Sequence, residues 1–465
     1  MKEKFKIQSL RPETSASSVE SLRPKVSKFK ILVFILLLFT IHCSLSTVVE
    51  AKVYIDINAP YLRKLPVAVV NLMSLSPSGE EKDMGRNVAG VISNDLDFSG
   101  FFRILDQASF IEPPQKMAFT EDRIDFKDWS VIGAEVLVKG TIKIEGGRLN
   151  IELKLFDVFQ GRLLIGKKYT GVKNDVRKIA HRFSNEIVKA LTGEEGVFDT
   201  KIAYVAKVRD GKEVYIMDFD GYAPQRITKI GGFNLSPSWS PDGREILFAS
   251  ERRRNWDLYV FDRRQLKEDI ISYQVGLNFA ASFSPDGKKI ALTMSRDGNP
   301  EIYTINREGK DLRRLTNNFA IDVSPRWSLD GKQIVFVSNR GGSPQIYIMD
   351  SDGNNVRRLT FEGSYNTSPA WSPRGDKIAF TSRINGKFQI SIINPDGSGL
   401  QQLTFNTGNN EDPSWSSDGR YIAFSSTREG KYAIFVMLAN GEGQRRISPG
   451  GIEAFSPSWS PRLTE

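Results

Sequence analysis

The stretch SPSWSPDG at residues 236–243 decides the fold, because variants of it recur through the second half of the chain. The variants are AASFSPDG, SPRWSLDG, SPAWSPRG and DPSWSSDG, followed by SPSWSP at 456–461. Their aromatic residues all stand 44 positions apart: Trp239, Phe283, Trp327, Trp371, Trp415 and Trp459. A fixed period of about 20–50 residues is typical of a repeat architecture.

Three further columns keep the same spacing of 44 residues, as in IAYVA at 202–206, VYIMD at 214–218 and RIT at 226–228. Each unit therefore has four short β-rich runs separated by turn signals, which is the pattern of a β-propeller blade. The first unit lacks its own first strand, and the chain ends on an unaccompanied first strand. The sequence predicts a six-bladed propeller over 199–465, closed by that last strand, with the motif aromatics packed between blades.

The composition excludes several classes of protein. The 465 residues are 40% hydrophobic and 26% charged, as in ordinary globular proteins. One Cys and two His exclude a disulfide framework and the Cys-based zinc sites. The sequence contains no GxSxG elbow, no P-loop and no GxGxxG after a strand. We therefore expect no cofactor, no metal and no catalytic residues.

An apolar run, ILVFILLLFTI at 31–41, follows Lys25, Lys28 and Lys30. It is shorter than the roughly 20 residues that span a bilayer as a helix, but it matches the apolar region of a secretory signal peptide. We predict that residues 1–51 are the signal peptide, cut after Ala51, and that the mature protein is exported and does not span a membrane. A lipid anchor on Cys43 and an uncleaved anchor are the alternatives. Removing the leader lowers the formal net charge from +9 to +5, which argues against nucleic-acid binding.

Residues 52–195 lack the repeat. Apolar residues at helical spacing predict helices at about 80–97 and 173–192. Strand-like runs occupy 53–57, 67–72, 134–144, 149–158 and 161–171, with a hairpin turn at 145–147. The sequence predicts a small α/β domain with a mixed sheet, and it places His181 at the surface or boundary of the second helix.

A polar residue, in what we call the polar column, precedes five of the six motif aromatics by five positions, in the loops entering the innermost strands near the central channel: Asn234, Asn278, Asp322, Asn366 and Asn410, with Ala454 at the sixth position. These side chains either bond their own backbone or face a ligand, and both possibilities stay open. The loops between second and third strands lie at the same end and carry Arg252, Arg296, Arg340, Arg383 and Arg428. Because Arg is enriched at protein interfaces, this end is a candidate binding surface for a polar or acidic partner. Solvated loop charges are the alternative.

In the order of its segments the chain resembles the TolB family, the secreted propeller proteins of the Tol–Pal system of Gram-negative bacteria. The resemblance rests on the leader, the short mature N-terminal strand, LTGEEGVFDTKIAYV at 191–205, the WSPDG-type units and the terminal SPSWSPRL. The WSPDG motif alone is shared with propeller peptidases, so the combination of segments carries the likeness. The chain departs from the pattern at RRQLKED in the second unit, at Phe283 and at Arg374.

The resemblance implies a non-enzymatic periplasmic adaptor that supports outer-membrane integrity and cell division. It implies that one propeller face binds the lipoprotein Pal, through the polar column together with Leu277, Ala280 and Val323 in exposed loops. Bacteriocins are candidate partners of the same face. It also implies that the mature N-terminus binds TolA, through Lys52, Val53, Tyr54, Ile55, Asp56, Ile57 and Asn58.

Other interpretations remain open at this point. The alternating run at 52–58 is suited to extending a partner's sheet, or it is an edge strand of its own domain. A secreted propeller enzyme is a second candidate, which a pocket with strongly perturbed carboxylates would favour. A carbohydrate-binding propeller is a third, which exposed aromatic residues around one face would favour.

Overall fold

The computed structural model describes Ile55 and residues 63–76, 78–111, 119–228, 231–405 and 408–463. The predicted signal peptide lies outside these residues, and so does the predicted TolA-binding segment except for Ile55. In the part of the chain that is described, no helix is long and apolar enough to cross a membrane.

The N-terminal part alternates strands and helices around one sheet. Its elements are β1 (Leu65–Val69), β2 (Met73–Ser74), α1 (Gly79–Phe98), β3 (Phe102–Ile104), a 3-10 turn (Gln107–Ser109), α2 (Phe126–Val131), β4 (Val136–Glu145), β5 (Arg148–Asp157), β6 (Arg162–Gly171), a second 3-10 turn (Lys173–Asp175) and α3 (Val176–Thr192). The sheet order is β3-β1-β4-β5-β6, with β2 beside β4. β1 runs parallel to β3 and β4, whereas β4, β5 and β6 are antiparallel, so the predicted mixed sheet is confirmed.

The two predicted helices are confirmed and pack against each other. α3 ends at Gly193, whose φ of +76° is a left-handed conformation that glycine adopts without strain. The turn between β4 and β5 falls on Gly146 and Gly147, both with positive φ, as the hairpin prediction requires. The sequence did not predict β3 or α2.

The second half consists of short strands at the spacing of the repeat. The first strands are β10 (Gly232–Trp239), β14 (Asn278–Phe283), β18 (Asp322–Trp327), β22 (Asn366–Trp371), β26 (Asn410–Trp415) and β30 (Ala454–Trp459). The second strands are β7 (Lys201–Val208), β11 (Glu245–Ser250), β15 (Lys289–Met294), β19 (Gln333–Ser338), β23 (Ile378–Ile384) and β27 (Tyr421–Ser426). The third strands are β8 (Gly211–Asp218), β12 (Asp257–Asp262), β16 (Glu301–Asn306), β20 (Gln345–Asp350), β24 (Lys387–Ile393) and β28 (Ala433–Leu438). The fourth strands are β9 (Gln225–Arg226), β13 (Lys267–Ser272), β17 (Arg313–Arg314), β21 (Arg357–Arg358), β25 (Gln401–Gln402) and β29 (Arg445–Arg446).

These strands form the antiparallel sheets of a β-propeller. Four sheets have four strands each, β14–β17, β18–β21, β22–β25 and β26–β29. An eight-stranded sheet has the order β13-β12-β11-β10-β8-β7-β30, with β9 beside β8. Within it β10 and β8 run parallel and pair only at Gly232 with Gly211 and at Phe233 with Lys212.

The last strand of the chain closes the ring. β30 pairs antiparallel with β7, with Trp459 opposite Ile202 and Phe455 opposite Val205. The predicted pairing of the C-terminal strand with the first unit is therefore confirmed. Closure removes two exposed strand edges that would otherwise invite pairing with another chain.

The hydrophobic core lies between neighbouring sheets, where the motif aromatics were predicted. Trp415 of β26 belongs to the same buried cluster as Ile390 and Ile392 of the preceding sheet. Its indole N–H donates to the carbonyl of Ala370 at 3.0 Å. The indole of Trp459 likewise donates to Oγ1 of Thr200 at 2.8 Å. These indoles thus place their apolar body between sheets while their polar group remains satisfied.

Candidate protein-binding face

The first and second strands of a unit are antiparallel, so the start of the first strand lies beside the end of the second strand. Asn410, the first residue of β26, for example, pairs with Ser426, the last residue of β27. We call this end the upper face; it comprises the loops entering β10, β14, β18, β22, β26 and β30 and the turns between second and third strands. The lower face comprises the turns between first and second strands and those between third and fourth strands. The predicted Pal-binding residues all lie towards the upper face.

The upper face exposes many apolar side chains. The side chain of Phe319 is 93% exposed and that of Val275 is 84% exposed. The set in or next to the entering loops is Phe233, Tyr273, Val275, Phe319, Ile321, Phe361, Tyr365, Phe405 and Ile452. The lower-face turns expose a smaller and mainly aliphatic set: Tyr222, Leu266, Leu312, Leu329, Val356 and Leu400. The larger, aromatic-rich set on the upper face makes that face the stronger candidate for an interaction surface.

The polar column is not part of that exposed surface. All five side chains are fully buried: Asn234, Asn278, Asp322, Asn366 and Asn410. The amide of Asn410 donates to Oε1 of Gln389 at 3.0 Å, and that of Asn366 donates to Oε1 of Gln345 at 2.7 Å. Both acceptors belong to the preceding repeat unit. Of the two possibilities left open by the sequence, burial contradicts a side chain that faces a ligand. Bonding of the local backbone is observed, since Asn278 and Asn366 also donate to the carbonyls of Gln274 and Glu362 in their own loops.

A second buried column, which the sequence analysis missed, completes this network. Thr404 Oγ1 donates to Oε1 of Gln389 at 2.8 Å and accepts the backbone N–H of Ile390 at 2.9 Å. The same pattern recurs with Glu213 and Thr228, with Glu301 and Thr316, and with Gln345 and Thr360. The 44-residue spacing of Glu or Gln at the start of the third strands was the available signal.

Three of the predicted rim arginines are used within the protein. Arg340 donates to Asp322 at 2.7 Å, and Arg428 donates to Asn410 at 2.9 Å. Arg252 donates to Asn234 at 3.3 Å. These side chains tie the turn between second and third strands to the entering loop. They stabilise the upper face rather than standing free as solvated charges.

Asp322 replaces the amide of the other units with a carboxyl group. Burial raises its pKa above the ordinary value, whereas hydrogen bonding to Ser338 and the charge of Arg340 act in the opposite direction. Asn318 donates to the same carboxylate oxygen at 2.9 Å. Oδ2 of this carboxyl is thus engaged by its own loop and turn, whereas Oδ1 is buried without a hydrogen-bond partner among the described residues.

The three residues that the family resemblance placed beside the column differ in their exposure. Leu277 and Val323 are partly exposed. Ala280 is only 4% exposed and lies within β14 rather than in an exposed loop, so that expectation is wrong for it. Ala280 also has a φ of +51°, as the equivalent residues do, at the bulge where β14 shifts register against β15.

Near the channel, Asp412 occupies the position equivalent to Ala280. Its carboxylate accepts hydrogen bonds from the hydroxyls of Ser368 and Ser456, each at 2.8 Å. The neighbouring Glu411 accepts a hydrogen bond from Tyr432 at 2.5 Å, and burial raises its pKa. Among the described residues no cluster of three His, Cys, Asp or Glu side chains is arranged to hold a metal ion.

The lower face is partly occupied by the protein itself. The guanidinium of Arg445 lies 3.8 Å from the ring centroid of Phe98, and that of Arg420 lies 3.7 Å from that of Phe101. The Phe98 ring also contacts Phe219 and Tyr421, with centroids 4.8 and 4.9 Å away. The end of α1 therefore inserts apolar side chains between lower-face turns.

Ile55 is the one described residue of the predicted TolA-binding segment. Its side chain is buried, and its backbone N–H donates to the carbonyl of Leu191 at 2.7 Å. The segment thus contacts the end of α3 at this point. Lys52, Val53, Tyr54, Asp56, Ile57 and Asn58 lie outside the described residues.

Family models match both halves of the chain. The model described as the TolB beta propeller domain matches residues 188–463, and the TolB amino-terminal domain matches residues 53–164. The crystal structure of TolB from Acinetobacter baumannii superposes with a TM-score of 0.75 at 28% identity, covering 88% of this chain and 100% of that one.

Curated relatives carry the name Tol-Pal system protein TolB. The relative from Desulfosudis oleivorans is 41% identical over 226 residues, which is 49% of this chain and 52% of the relative. The relative from Geobacter sulfurreducens is 43% identical over 217 residues, covering 47% and 49%. The chain spans about half the length of the curated relatives it matches.

Proposed function

This chain belongs to the TolB family, and from that premise we propose that it is a non-enzymatic periplasmic adaptor of the Tol–Pal system. It binds the lipoprotein Pal through the upper face and TolA through Lys52–Asn58, and so supports outer-membrane integrity and cell division. Bacteriocins that enter through this system would compete for the upper face. The names of the curated relatives support membership of the Tol–Pal system.

We propose that the chain is divided into a signal peptide at 1–51, an α/β domain at 52–195 and a six-bladed propeller at 199–465. The eight-stranded sheet is best divided into two blades, because β10 and β8 pair at only two positions. One blade is then β30, β7, β8 and β9, and the other is β10 to β13. With the four separate sheets, this division makes six blades.

The observation that carries the proposal is the apolar upper face. Interfaces concentrate their binding energy in a few central aromatic or aliphatic side chains. Phe319 and Val275 are already exposed on loops adjoining Leu277 and Val323. Buried residues hold these loops in place, because Asp322 accepts from Arg340 and Asn318, and Asn278 donates to the backbone of Gln274 and Gly276. Little conformational ordering would then be needed when a partner docks, which favours affinity.

The TolA-binding part of the proposal rests on the segment at 52–58. Its apolar and polar residues alternate, as in a strand with one buried face. Because Ile55 is hydrogen-bonded to Leu191, TolA would have to displace this contact or bind on its exposed side. In the first case, TolA binding would compete with the contact between Ile55 and the end of α3.

A carbohydrate-binding propeller is the second candidate, since aromatic residues do surround the upper face. Seven of the nine exposed side chains, however, are Phe or aliphatic, and only Tyr273 and Tyr365 carry a hydroxyl. Phe and aliphatic side chains offer no hydrogen bonds to sugar hydroxyls, and they suit a protein partner better. The enzyme alternative has only the raised pKa of carboxyls such as Asp322 and Glu411, which neighbouring side chains engage.

Calorimetric titration with purified Pal tests the proposal. Phe319→Ala should weaken Pal binding at least tenfold, or about 1.4 kcal/mol, without changing the melting temperature, because the side chain is almost fully exposed. Leu329→Ala removes an exposed apolar side chain from the lower face and is the matched control. It should leave the affinity within about twofold.

Two outcomes would contradict the proposal. If Phe319→Ala binds Pal like the wild type while Leu329→Ala does not, the partner uses the lower face. The second outcome is that the wild type does not bind Pal but binds peptidoglycan fragments, and that Phe319→Ala loses this binding. The carbohydrate-binding candidate would then replace the adaptor.

A further inference from the structure

A cavity of about 430 Å³ lies at the lower end of the central channel. All six first strands contribute to its walls, through the motif aromatics and the residues on either side of them. Its volume falls within the range of small-molecule sites. The upper loops lie at the opposite ends of the same strands, so this cavity is separate from the proposed Pal-binding surface.

One position in this cavity breaks the repeat. The residue immediately before the motif aromatic is small in five units: Ser238, Ser282, Ala370, Ser414 and Ser458. In the remaining unit the equivalent residue is Arg326, and all six of these residues line the cavity. Arg326 is the one charged side chain among the described residues that form the lining. The channel therefore holds a single cation within a ring of small side chains.

Arg326 forms no ion pair within the described part of the chain. Its Nη1 donates to the backbone carbonyls of Ala280 at 3.2 Å and of Pro325 at 2.9 Å, which are neutral acceptors. Burial lowers the pKa of Arg326 to about 10, although the charge of Asp412 acts in the opposite direction, so Arg326 is a cation at neutral pH. Asp412 lines a different cavity, near the upper face, and its carboxylate accepts from two serine hydroxyls. A charge enclosed by protein without a counter-ion in contact is costly.

Two nitrogens of this guanidinium remain for a ligand. Nε and Nη2 make no hydrogen bond within the described residues, and neither atom is fully buried. The edge of a guanidinium formed by these two nitrogens presents two parallel N–H bonds, which match the two oxygens of a carboxylate. The hydrogen bonds of Nη1 already hold the group against the channel wall. Little further ordering is therefore needed when a ligand binds.

We propose that the lower end of the channel binds one carboxylate group, carried either by a small organic acid or by the C-terminus of a peptide. Its two oxygens accept from Nε and Nη2 of Arg326. A carboxylate carries one negative charge and so balances this single cation. A dianion such as phosphate would keep a charge that no second cation of the described lining offsets. The small side chains of the neighbouring units, such as Ala370, leave room for the group beside Arg326.

Calorimetric titration of the purified protein with acetate and, separately, with N-acetylglycine tests this proposal. Acetate represents a small organic acid, and N-acetylglycine represents the C-terminus of a peptide. Both should bind saturably at neutral pH while they replace chloride at constant ionic strength. N-acetylglycinamide, which lacks the carboxylate, should not bind. Tighter binding of N-acetylglycine would identify a peptide C-terminus as the ligand, and tighter binding of acetate would identify a small acid.

Variants distinguish this site from a general effect of charge. Arg326→Ser introduces the residue that four of the other units carry, so the fold should be retained, and it should weaken carboxylate binding at least tenfold. Saturating acetate should raise the melting temperature of the wild type but not that of Arg326→Ser. Arg148→Ser removes an exposed positive charge from β5 and should bind acetate like the wild type.

Two results would overturn the proposal: the absence of saturable binding of either carboxylate by the wild type, and equal binding by the wild type and a folded Arg326→Ser. If Arg326→Ser does not fold, Arg326→Lys replaces it, because Lys keeps the charge but lacks the paired N–H bonds. It should bind acetate at least threefold more weakly than the wild type, and equal binding would overturn the assignment to Nε and Nη2. None of these outcomes depends on Pal binding.

Discussion

The two faces of the propeller are built from the same repeat, yet they differ in what covers their apolar side chains. At the lower face, the guanidinium of Arg420 packs on the ring of Phe101, and that of Arg445 packs on the ring of Phe98. At the upper face, the arginines bond inward to the polar column, and side chains such as Phe319 are left exposed.

This contrast teaches where to look for function in a repeat protein. The motif residues and their buried networks recur in most units, so they specify the ring and not its partners. Exposed loop residues of the upper face partly follow the same 44-residue spacing, as Val275 with Phe319 and Phe361 with Phe405 show. A partner site is therefore best sought where the apolar residues of the loops remain uncovered.

The largest expected effect comes from opening the ring on which both faces depend. Deletion of residues 455–465 removes most of β30 and leaves β7 as an unpaired edge. The free energy of unfolding should fall by more than the roughly 3–5 kcal/mol that is expected when a buried aromatic such as Trp459 is truncated alone. Thermal unfolding measures it, and deletion of 464–465, which leaves β30 intact, is the control. An unchanged melting temperature after the longer deletion would refute closure by this strand.

The next effect separates the covered face from the exposed one. Phe98→Ala removes a buried ring from between Phe219 and Tyr421, and it should lower the free energy of unfolding by about 3–5 kcal/mol. Phe319→Ala, the matched change on the upper face, should alter it by less than about 0.5 kcal/mol. Urea denaturation of both variants gives the comparison. If both variants lowered the free energy of unfolding equally, the apolar side chains of the two faces would not differ in burial.

A smaller effect is expected from the polar column. Asn410→Ala removes the hydrogen bonds that Asn410 makes to Gln389 and Arg428 inside the protein, which should cost about 1–3 kcal/mol in the same urea experiment. Asn94→Ala, at an exposed position of α1, should change stability by less than about 0.5 kcal/mol. If Asn410→Ala is as stable as the control, the column does not hold the upper loops.

Much of the fold could be predicted because its periodicity is strong. The aromatic column located the first strands, and the orphan strand at the C-terminus predicted the pairing of Trp459 with Ile202. β3 and α2 were missed because they are only three and six residues long, too short to show a period. The positive φ of Ala280 was missed because nothing in its residue type requires it.

The site was harder to predict than the fold, because exposure depends on tertiary neighbours. Asn410 is polar in a loop-entry position, yet Gln389 of the preceding unit buries it. His181 is near the polar side of a helix, yet Asp95 of another helix makes it a buried pair. Phe319 stands 44 positions after Val275, but Gly occupies the equivalent positions 231, 363 and 451, so no continuous apolar column marked this surface.

Hydrogen–deuterium exchange of the protein with and without Pal tests the central claim most directly, because it reports which backbone segments a partner covers. We predict slower exchange in the upper loops at 273–277, 317–321 and 361–365 when Pal is bound. The lower turns at 241–244 and 285–288 should exchange at the same rate in both states. Protection of the lower turns with unchanged upper loops would contradict the assignment of the upper face as the partner-binding surface.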